Sequence, residues 1–355
     1  MESSTKSASR SLREPSSNGA SPRFLRPAGI LGLGSYAPER VLTNQDLERM
    51  VETNDEWIVS RTGIRERRIA DPAEKTSDLA IRAASRALKD AELSPEELDL
   101  IIVATTTADA LFPATASVVQ AALGATRAAA FDLSAACSGF IYGLSVGAQF
   151  IGTGAYQRVL VIGAETLSRI TNWRDRSTCV LFGDGAGAAV LGPVQQGQGF
   201  LAFDLGSDGG GAELLAVDPG GYGHPLTTGS EAELACSIRM AGQEVFKFAV
   251  RICEESTRRS LERAGLAPED VDCLIPHQAN IRIIDAAAKR LGIEESRVFS
   301  NVHRYGNTSA ASIPLALNEA REQGRIRPGD TLALVGFGAG LSWASCVLNW
   351  TGKAG

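Results

Sequence analysis

RALKDAELSPEELDLII at 86–102 and RSLERAGLAPEDVDCLI at 259–275 carry one pattern twice. Arg, Leu, Ala, Leu, Pro, Glu, Asp and Ile recur in register at an offset of 173 residues, 259 minus 86. The same offset sets VLVIG at 159–163 on LALVG at 332–336, and the helix-forming stretch after Cys137 on the one after Ala310. Three coincidences at one spacing mean an internal duplication. The period is far longer than the roughly 20–50 residues of a solenoid repeat, so the expectation is two similar α/β halves, each with its own sheet.

Working outward, apolar periodicity predicts helices over 77–91, from near 113 to 124, and over 138–152, with strands over 98–105, 128–132 and 159–162. The order is βαβα, and several strands are unbroken Val/Ile/Leu runs, as expected of a buried sheet covered by helices. Folding begins near Ala28, with a strand over 29–34 reaching a turn. The glycines at 32 and 34 resemble part of a dinucleotide fingerprint, which needs a helix to start at once. Pro38 and Asn44 instead predict a loop and a helix capped near Asn44. The halves are expected at 28–204 and 205–355, with the glycine-rich stretch 205–224 as a loop insertion near the junction.

Residues 1–27 hold eight Ser, five Lys/Arg and two acids, which predicts a disordered tail. An organelle-targeting segment is the alternative. The whole chain has 355 residues, 44% hydrophobic and 21% charged, and a formal net charge of −6. That balance disfavours nucleic acid as a partner. No apolar run approaches the roughly 20 residues of a membrane span. The six cysteines form no CxxC pair and there are only three histidines, so neither a disulfide framework nor a metal site is expected.

Four segments carry chemistry. In DLSAACSGF at 132–140 a strand ends, small residues turn, and an apolar helix begins just after Cys137. A thiol at a helix N-terminus sees the positive end of the dipole, which favours the thiolate that attacks thioesters. A core cysteine beside a turn would look the same. In LIPHQAN at 274–280, His277 follows a strand end, where catalytic groups collect in such sheets. In YGNTSAAS at 305–312, Asn307 is either a helix cap or a functional amide. GFGAG at 336–340 offers backbone N–H groups at a strand end. The repeat places Cys137 and the 307–312 segment at matching points of the two halves, so a pseudo-twofold would bring them together.

SAACSGF, PHQAN, GNTSAAS and GFGAG, in this order and spacing, resemble β-ketoacyl-acyl-carrier-protein synthase III. NDEWI at 54–58, RTGIR at 61–65 and DRST at 175–178 extend the resemblance from about Gly29 to Trp350. It implies the five-layered αβαβα thiolase fold, a homodimer, and an initiating condensation of fatty acid synthesis. In that reaction an acyl group, acetyl above all, passes from coenzyme A to Cys137 and is joined to malonyl-acyl carrier protein. It also implies that His277 and Asn307 are catalytic, that the backbone N–H groups of Cys137 and Ala339 form an oxyanion hole, and that no metal or redox cofactor is used. By the same resemblance Trp57 and Arg176 sandwich the adenine of coenzyme A. Arg61 meets its phosphates, Thr53 and Asn280 make polar contacts, and Phe112 walls the acyl pocket of a neighbouring subunit. Arg282, Lys289 and Arg290 on one helix face, with Lys247 and Gln278, would dock an acidic carrier protein. The setting implied is bacterial cytoplasm, or a plastid stroma, since 167–176 is similar to cyanobacterial and plastid members.

Three rivals remain to be weighed. The first is another initiating condensing enzyme, of polyketide or secondary metabolism or a hydroxymethylglutaryl-CoA synthase relative; the latter use a Glu near the cysteine, and none stands beside Cys137 in sequence. A degradative thiolase needs a second reactive cysteine near the C-terminal glycine loop, and Cys346 falls in a predicted strand instead. A non-catalytic binding subunit has no use for the Cys137, His277 and Asn307 set.

Overall fold

The structure is a computed structural model that describes residues 26–217 and 237–352. The expected tail, apart from its last two residues, lies outside the described residues, as do Cys236, His224 and the second part of the glycine-rich stretch.

The first sheet comprises β1 (Ala28–Tyr36), β2 (Leu100–Ala104), β3 (Ala129–Leu133), β4 (Val159–Thr166) and β5 (Asp184–Pro193), in the order β1-β5-β4-β2-β3. The second comprises β6 (Gly199–Ser207), β7 (Cys273–Pro276), β8 (Thr331–Gly338) and β9 (Ser342–Asn349), in the order β7-β8-β9-β6. Read from β6, the second order is the first without its edge strand. The pairing register repeats too. Leu100 faces Val159 across β2 and β4, and Cys273 faces Leu332 across β7 and β8, each residue 173 further on.

Seven helices matter for the site: α1 (Asp55–Thr62), α2 (Thr76–Ala91), α3 (Thr115–Leu123), α4 (Gly139–Gly152), α5 (Gly242–Ala264), α6 (Ile281–Leu291) and α7 (Ser312–Glu322). Helices α4 and α7 again start 173 residues apart. They lie between the sheets: Phe140, Leu144 and Ile151 of α4 and Ile313 and Leu317 of α7 pack with Leu100 and Ile102 of β2 and Leu332 and Leu334 of β8. The alternate strand residues Ile101, Val103, Leu160 and Ile162 face α2 and α3. Leu274, Ala333 and Val335 face α5 and α6. Period-two strands thus bury both faces, giving α, β, α, β, α in five layers. Phe140 is wholly buried in the middle layer, where truncation to Ala costs about 3–5 kcal/mol.

One sequence expectation is corrected, and the helix cap expected near Asn44 is placed on its neighbour. The division at 204/205 cuts β6, which pairs with β9 of the second sheet, so it belongs ahead of Gly199. The cap near Asn44 is Thr43, whose hydroxyl accepts from Asp46 N, while the Asp46 carboxylate accepts from Thr43 N. Asn44 turns inward and donates to Asp55 and to the Ile64 carbonyl. The 29–34 strand runs on to Tyr36 without a helix behind it, in keeping with rejection of the dinucleotide reading. Among the described residues no helix is long and apolar enough to cross a membrane.

Candidate active site

Cys137 sits in a 3-10 turn, Ala136–Ser138, between β3 and the buried helix α4. The matching turn of the second half, Ser309–Ala311, packs against it. The close approach depends on glycine. A Cβ on Gly163 would lie 2.2 Å from the Ala310 carbonyl oxygen, and one on Gly338 would lie 2.6 Å from Cys137 N. Each sheet therefore presents a bare backbone to the turn of the other half.

His277 directly follows β7, and its backbone N–H donates to the Val335 carbonyl at 2.7 Å. The ring is buried, edge-on to Phe337, with Nδ1 2.6 Å from Ser312 Oγ. Ser312 Oγ itself accepts from Gln278 N at 3.4 Å. With the Ser312 hydroxyl donating to Nδ1, the imidazole proton sits on Nε2, where it can serve as a donor. Burial pushes the imidazole down to about 3, so it is neutral at working pH.

Asn307 is placed by its backbone. Its N–H donates to the Leu181 carbonyl at 2.8 Å, and its carbonyl accepts from Gly183 N at 3.0 Å. Its Oδ1 accepts from Ser309 N at 2.8 Å. The amide orientation is therefore fixed with Nδ2 as the free donor. Cys137, His277 and Asn307 line one cavity of about 100 Å³, with Phe246, Asn280 and Gly338. On its other side Cys137 opens on an apolar cavity of about 400 Å³ lined by Leu167, Ile170, Phe182, Leu215 and Ile238. Ala339 lines that second cavity. Ser342 Oγ ties the site together: it donates to the Ala339 carbonyl at 3.0 Å or the Ala135 carbonyl at 3.1 Å, and meets Ser138 Oγ at 2.9 Å.

The thiol differs from the expectation. Desolvation pushes Cys137 up to about 12, with Ser309 pulling the other way and the Glu165 charge adding to the rise. The resting site holds a thiol beside a neutral imidazole, not the thiolate anticipated from the helix dipole alone.

Glu165 is the residue that sequence reading missed, 28 positions beyond Cys137 at the end of β4. It is 0% exposed. Its carboxyl accepts from Thr107 Oγ1 at 2.6 Å, Thr106 N at 3.1 Å and Thr105 Oγ1 at 3.3 Å. Burial raises its pKa. An acid near the nucleophile is thus present after all. Only a buried polar residue closing an otherwise apolar strand hinted at it.

The outer residues divide. Trp57 on α1 is half-buried, and the Arg176 guanidinium lies over its ring at 5.1 Å, with Arg61 at 6.0 Å. Arg176 and Trp57 therefore stack on each other, and an adenine enters between them only if Arg176 swings aside. Thr53 Oγ1 is buried without a partner. Asn280 caps α6 by accepting from Arg282 N at 2.9 Å and donates to the Arg61 carbonyl at 2.9 Å, bridging α6 to α1. Lys247, Arg282, Lys289 and Arg290 are exposed, Arg282 lying over Phe246. Arg290 is drawn aside to Glu254 at 3.4 Å. Gln278 is corrected: it is 1% exposed, donating to the Pro276 carbonyl and accepting from Ser300 and Asn301, so it meets no docking partner. Phe112 lines neither cavity of its own chain and is 81% exposed beside Leu111 at 69%.

A thiol, a neutral imidazole donor and an oriented carboxamide, at the seam of a duplicated five-layer fold, define a condensing enzyme of thiolase architecture. Two family models match, 3-oxoacyl-[acyl-carrier-protein (ACP)] synthase III over 131–209 and its C-terminal counterpart over 261–350. The chain is 60% identical to a β-ketoacyl-[acyl-carrier-protein] synthase III of Desulfitobacterium hafniense, over 91% of this chain and 98% of that one. It is also 60% identical to one of Caldanaerobacter subterraneus, over 91% and 98%. The solved structure of the Thermus thermophilus enzyme aligns with a TM-score of 0.85 at 53% identity, over 92% of this chain and all of that one. The chain belongs to the β-ketoacyl-[acyl-carrier-protein] synthase III family, acyl-transferring condensing enzymes that initiate fatty acid biosynthesis.

Proposed function

We propose that the protein condenses acetyl-CoA, or another short acyl-CoA, with malonyl-acyl carrier protein to give acetoacetyl-acyl carrier protein. The observation that carries this reading is one cavity shared by Cys137, His277 and Asn307, with an apolar chamber behind the sulfur. Cys137 attacks the thioester and keeps the acyl group, while the N–H groups of Cys137 and Ala339 hold the oxyanion. Coenzyme A leaves and the malonyl thioester takes its place. Loss of carbon dioxide leaves an enolate, whose oxygen accepts from His277 Nε2–H and Asn307 Nδ2–H. The enolate carbon then attacks the acyl-cysteine, and the sulfur departs. Release of carbon dioxide drives carbon–carbon bond formation, so the reaction needs no metal or redox cofactor.

Thr53, Trp57, Arg61, Arg176 and Asn280 receive coenzyme A in this reading, and the exposed Lys247, Arg282 and Lys289 receive the carrier protein. A second copy supplies Phe112 to the acyl chamber. The bacterial relatives favour a bacterial cytoplasm over a plastid stroma. Mixing the protein with acetyl-CoA and weighing it intact tests the proposal. An acetyl adduct is expected, and it is absent from Cys137→Ser. No adduct on the wild-type chain overturns the reading.

A further inference from the structure

In the function proposed above, Asn307 donates Nδ2–H to the enolate, so whatever holds its backbone sets where that charge is met. The chain holds it against residues 181–183. Its N–H donates to the Leu181 carbonyl at 2.8 Å, its carbonyl accepts from Gly183 N at 3.0 Å, and Phe182 and Asn307 form a parallel bridge. A glycine stands beside each bridge partner, Gly183 and Gly306, and the side chain nearest to both is Arg67. A Cβ added to Gly183 would lie 3.0 Å from Arg67 Cβ, and one added to Gly306 would lie 3.4 Å from it. Arg67 Nη2 also donates to the Val180 carbonyl at 2.8 Å, one residue ahead of Leu181. Resting on that function, we propose that Arg67 is the positioning residue of the Asn307 carboxamide.

Three observations carry this assignment. First, Arg67 is 0% exposed and lines neither cavity, so it touches no substrate and acts only through what it holds. Second, none of its bonds goes to a carboxylate. Nη1 donates to the Leu42 carbonyl at 3.2 Å and to Asn44 Oδ1 at 2.9 Å, Nη2 donates to Val180, and the buried Nε has no partner among the described residues. Burial lowers the guanidinium to about 10, which leaves it charged at pH 7. A buried cation held by dipoles alone costs stability that an apolar side chain of similar length would not. Third, both ends of the fork are anchored. Asn44 is itself tied to Asp55 Oδ1 and to the Ile64 carbonyl, each at 2.8 Å. The planar guanidinium reaches that anchor and the Val180 carbonyl at once, which a single ammonium cannot do.

The route from Arg67 to the carboxamide is short and has little slack. A Cβ on Gly306 would lie 2.6 Å from the Leu181 carbonyl oxygen, so the two segments touch through bare backbone. Without the fork the Val180 carbonyl loses its donor, and a shift there carries Leu181 and Asn307 with it. The Asn307 amide meets full negative charge only as the enolate forms. Misplacing it therefore shows in turnover more than in binding.

The test compares full-length wild type, Arg67→Met, Asn307→Ala and the double variant. Two rates are read, carbon dioxide release from malonyl-acyl carrier protein and acetylation of Cys137 by acetyl-CoA. Arg67→Met is expected to lower kcat for carbon dioxide release at least about tenfold, with KM within about twofold and acetylation within about threefold of wild type. Added to Asn307→Ala it is expected to lower release no further, because the group it positions is already gone. A merely structural arginine gives equal losses in both half-reactions, or a loss that persists undiminished in the double variant. Either result, or an unchanged Arg67→Met, overturns the assignment. Should Arg67→Met fail to fold, Arg67→Lys goes through the same cycle. It keeps the stem and the charge but not the fork, so a loss of about threefold or more confined to carbon dioxide release is expected, and wild-type release overturns the assignment. Failure of the broader reading looks different, because the wild-type chain then neither releases carbon dioxide nor takes an acetyl group.

Discussion

Ala136 and Ser309 lie 173 residues apart and share a backbone φ of +46°. Each opens a three-residue 3-10 turn, and each turn leads into a helix of the middle layer. A left-handed residue with a side chain costs of order 1–3 kcal/mol, and the fold carries that cost in both halves. In the first half the kink presents Cys137. In the second it presents Ser309 and, two residues earlier, Asn307 to the same seam. The duplication is thus visible in the dihedral angles of the site as well as in the sheet order.

The seam tolerates no added atom. A Cβ at Gly338 would stand 2.6 Å from Cys137 N and 2.9 Å from Ala136 Cβ. Gly338→Ala is expected to cost about 1–3 kcal/mol in urea unfolding, as overpacking does. Acylation by acetyl-CoA is expected to drop more than about tenfold, because a shift near 1 Å misplaces the nucleophile. Retained acylation would mean that the turn is softer than its contacts suggest.

Ser312 sets the imidazole tautomer, so Ser312→Ala frees Nδ1 and lets the proton leave Nε2. Decarboxylation of the malonyl thioester is expected to fall about tenfold to a hundredfold, while self-acylation of Cys137 stays near wild type. Equal losses in both half-reactions would remove His277 from a role confined to the enolate.

His277 also makes stability depend on pH. Its ordinary value is 6.5 and it is held at about 3 in the folded chain. The folded protein refuses a proton that the unfolded chain accepts. Its contribution is therefore complete above pH 6.5 and is lost as pH falls from there towards 3, at up to about 1.4 kcal/mol per pH unit. Between pH 7 and pH 5, wild type should lose about 1–2 kcal/mol more unfolding free energy than His277→Gln. A smaller loss in wild type would show a charged imidazole in the folded state.

Phe112 and Leu111 expose large apolar surface away from both cavities of their own chain. A second copy that buries them places Phe112 against the acyl chamber of its neighbour. Phe112→Thr is expected to widen the accepted range from acetyl-CoA towards octanoyl-CoA in an acylation series. An unchanged profile would leave Phe112 as an interface residue only.

Arg282 is exposed beside Phe246, at the rim of the cavity that holds Cys137. Arg282→Glu is expected to raise KM for malonyl-acyl carrier protein at least about tenfold at low salt, with acylation by acetyl-CoA unaffected. Parallel losses in both would refute the docking role.

The sequence was explicit wherever the cause is local. Strand periodicity, the Pro-Glu turns and the offset between 86–102 and 259–275 determine the paired halves. The short motifs mark Cys137, His277 and Asn307, because the first two follow strand ends and the third precedes a helix, each read from its own neighbours. Five layers were implied by resemblance, and the alternate burial of Ile101 and Ile102 accounts for them.

What tertiary structure alone decided depends on through-space contact. Glu165 accepts from Thr107 across 58 residues of chain, and no local pattern joins them. Gln278 follows His277 in a site motif, yet its side chain turns into the protein to bond Ser300 and Asn301. The thiol shows the difference in magnitude. A helix N-terminus, legible in sequence, is worth up to about 2 kcal/mol. Burial by both halves carries Cys137 from 9.0 to about 12, roughly 4 kcal/mol. Desolvation depends on everything packed around an atom, and only the folded chain specifies that.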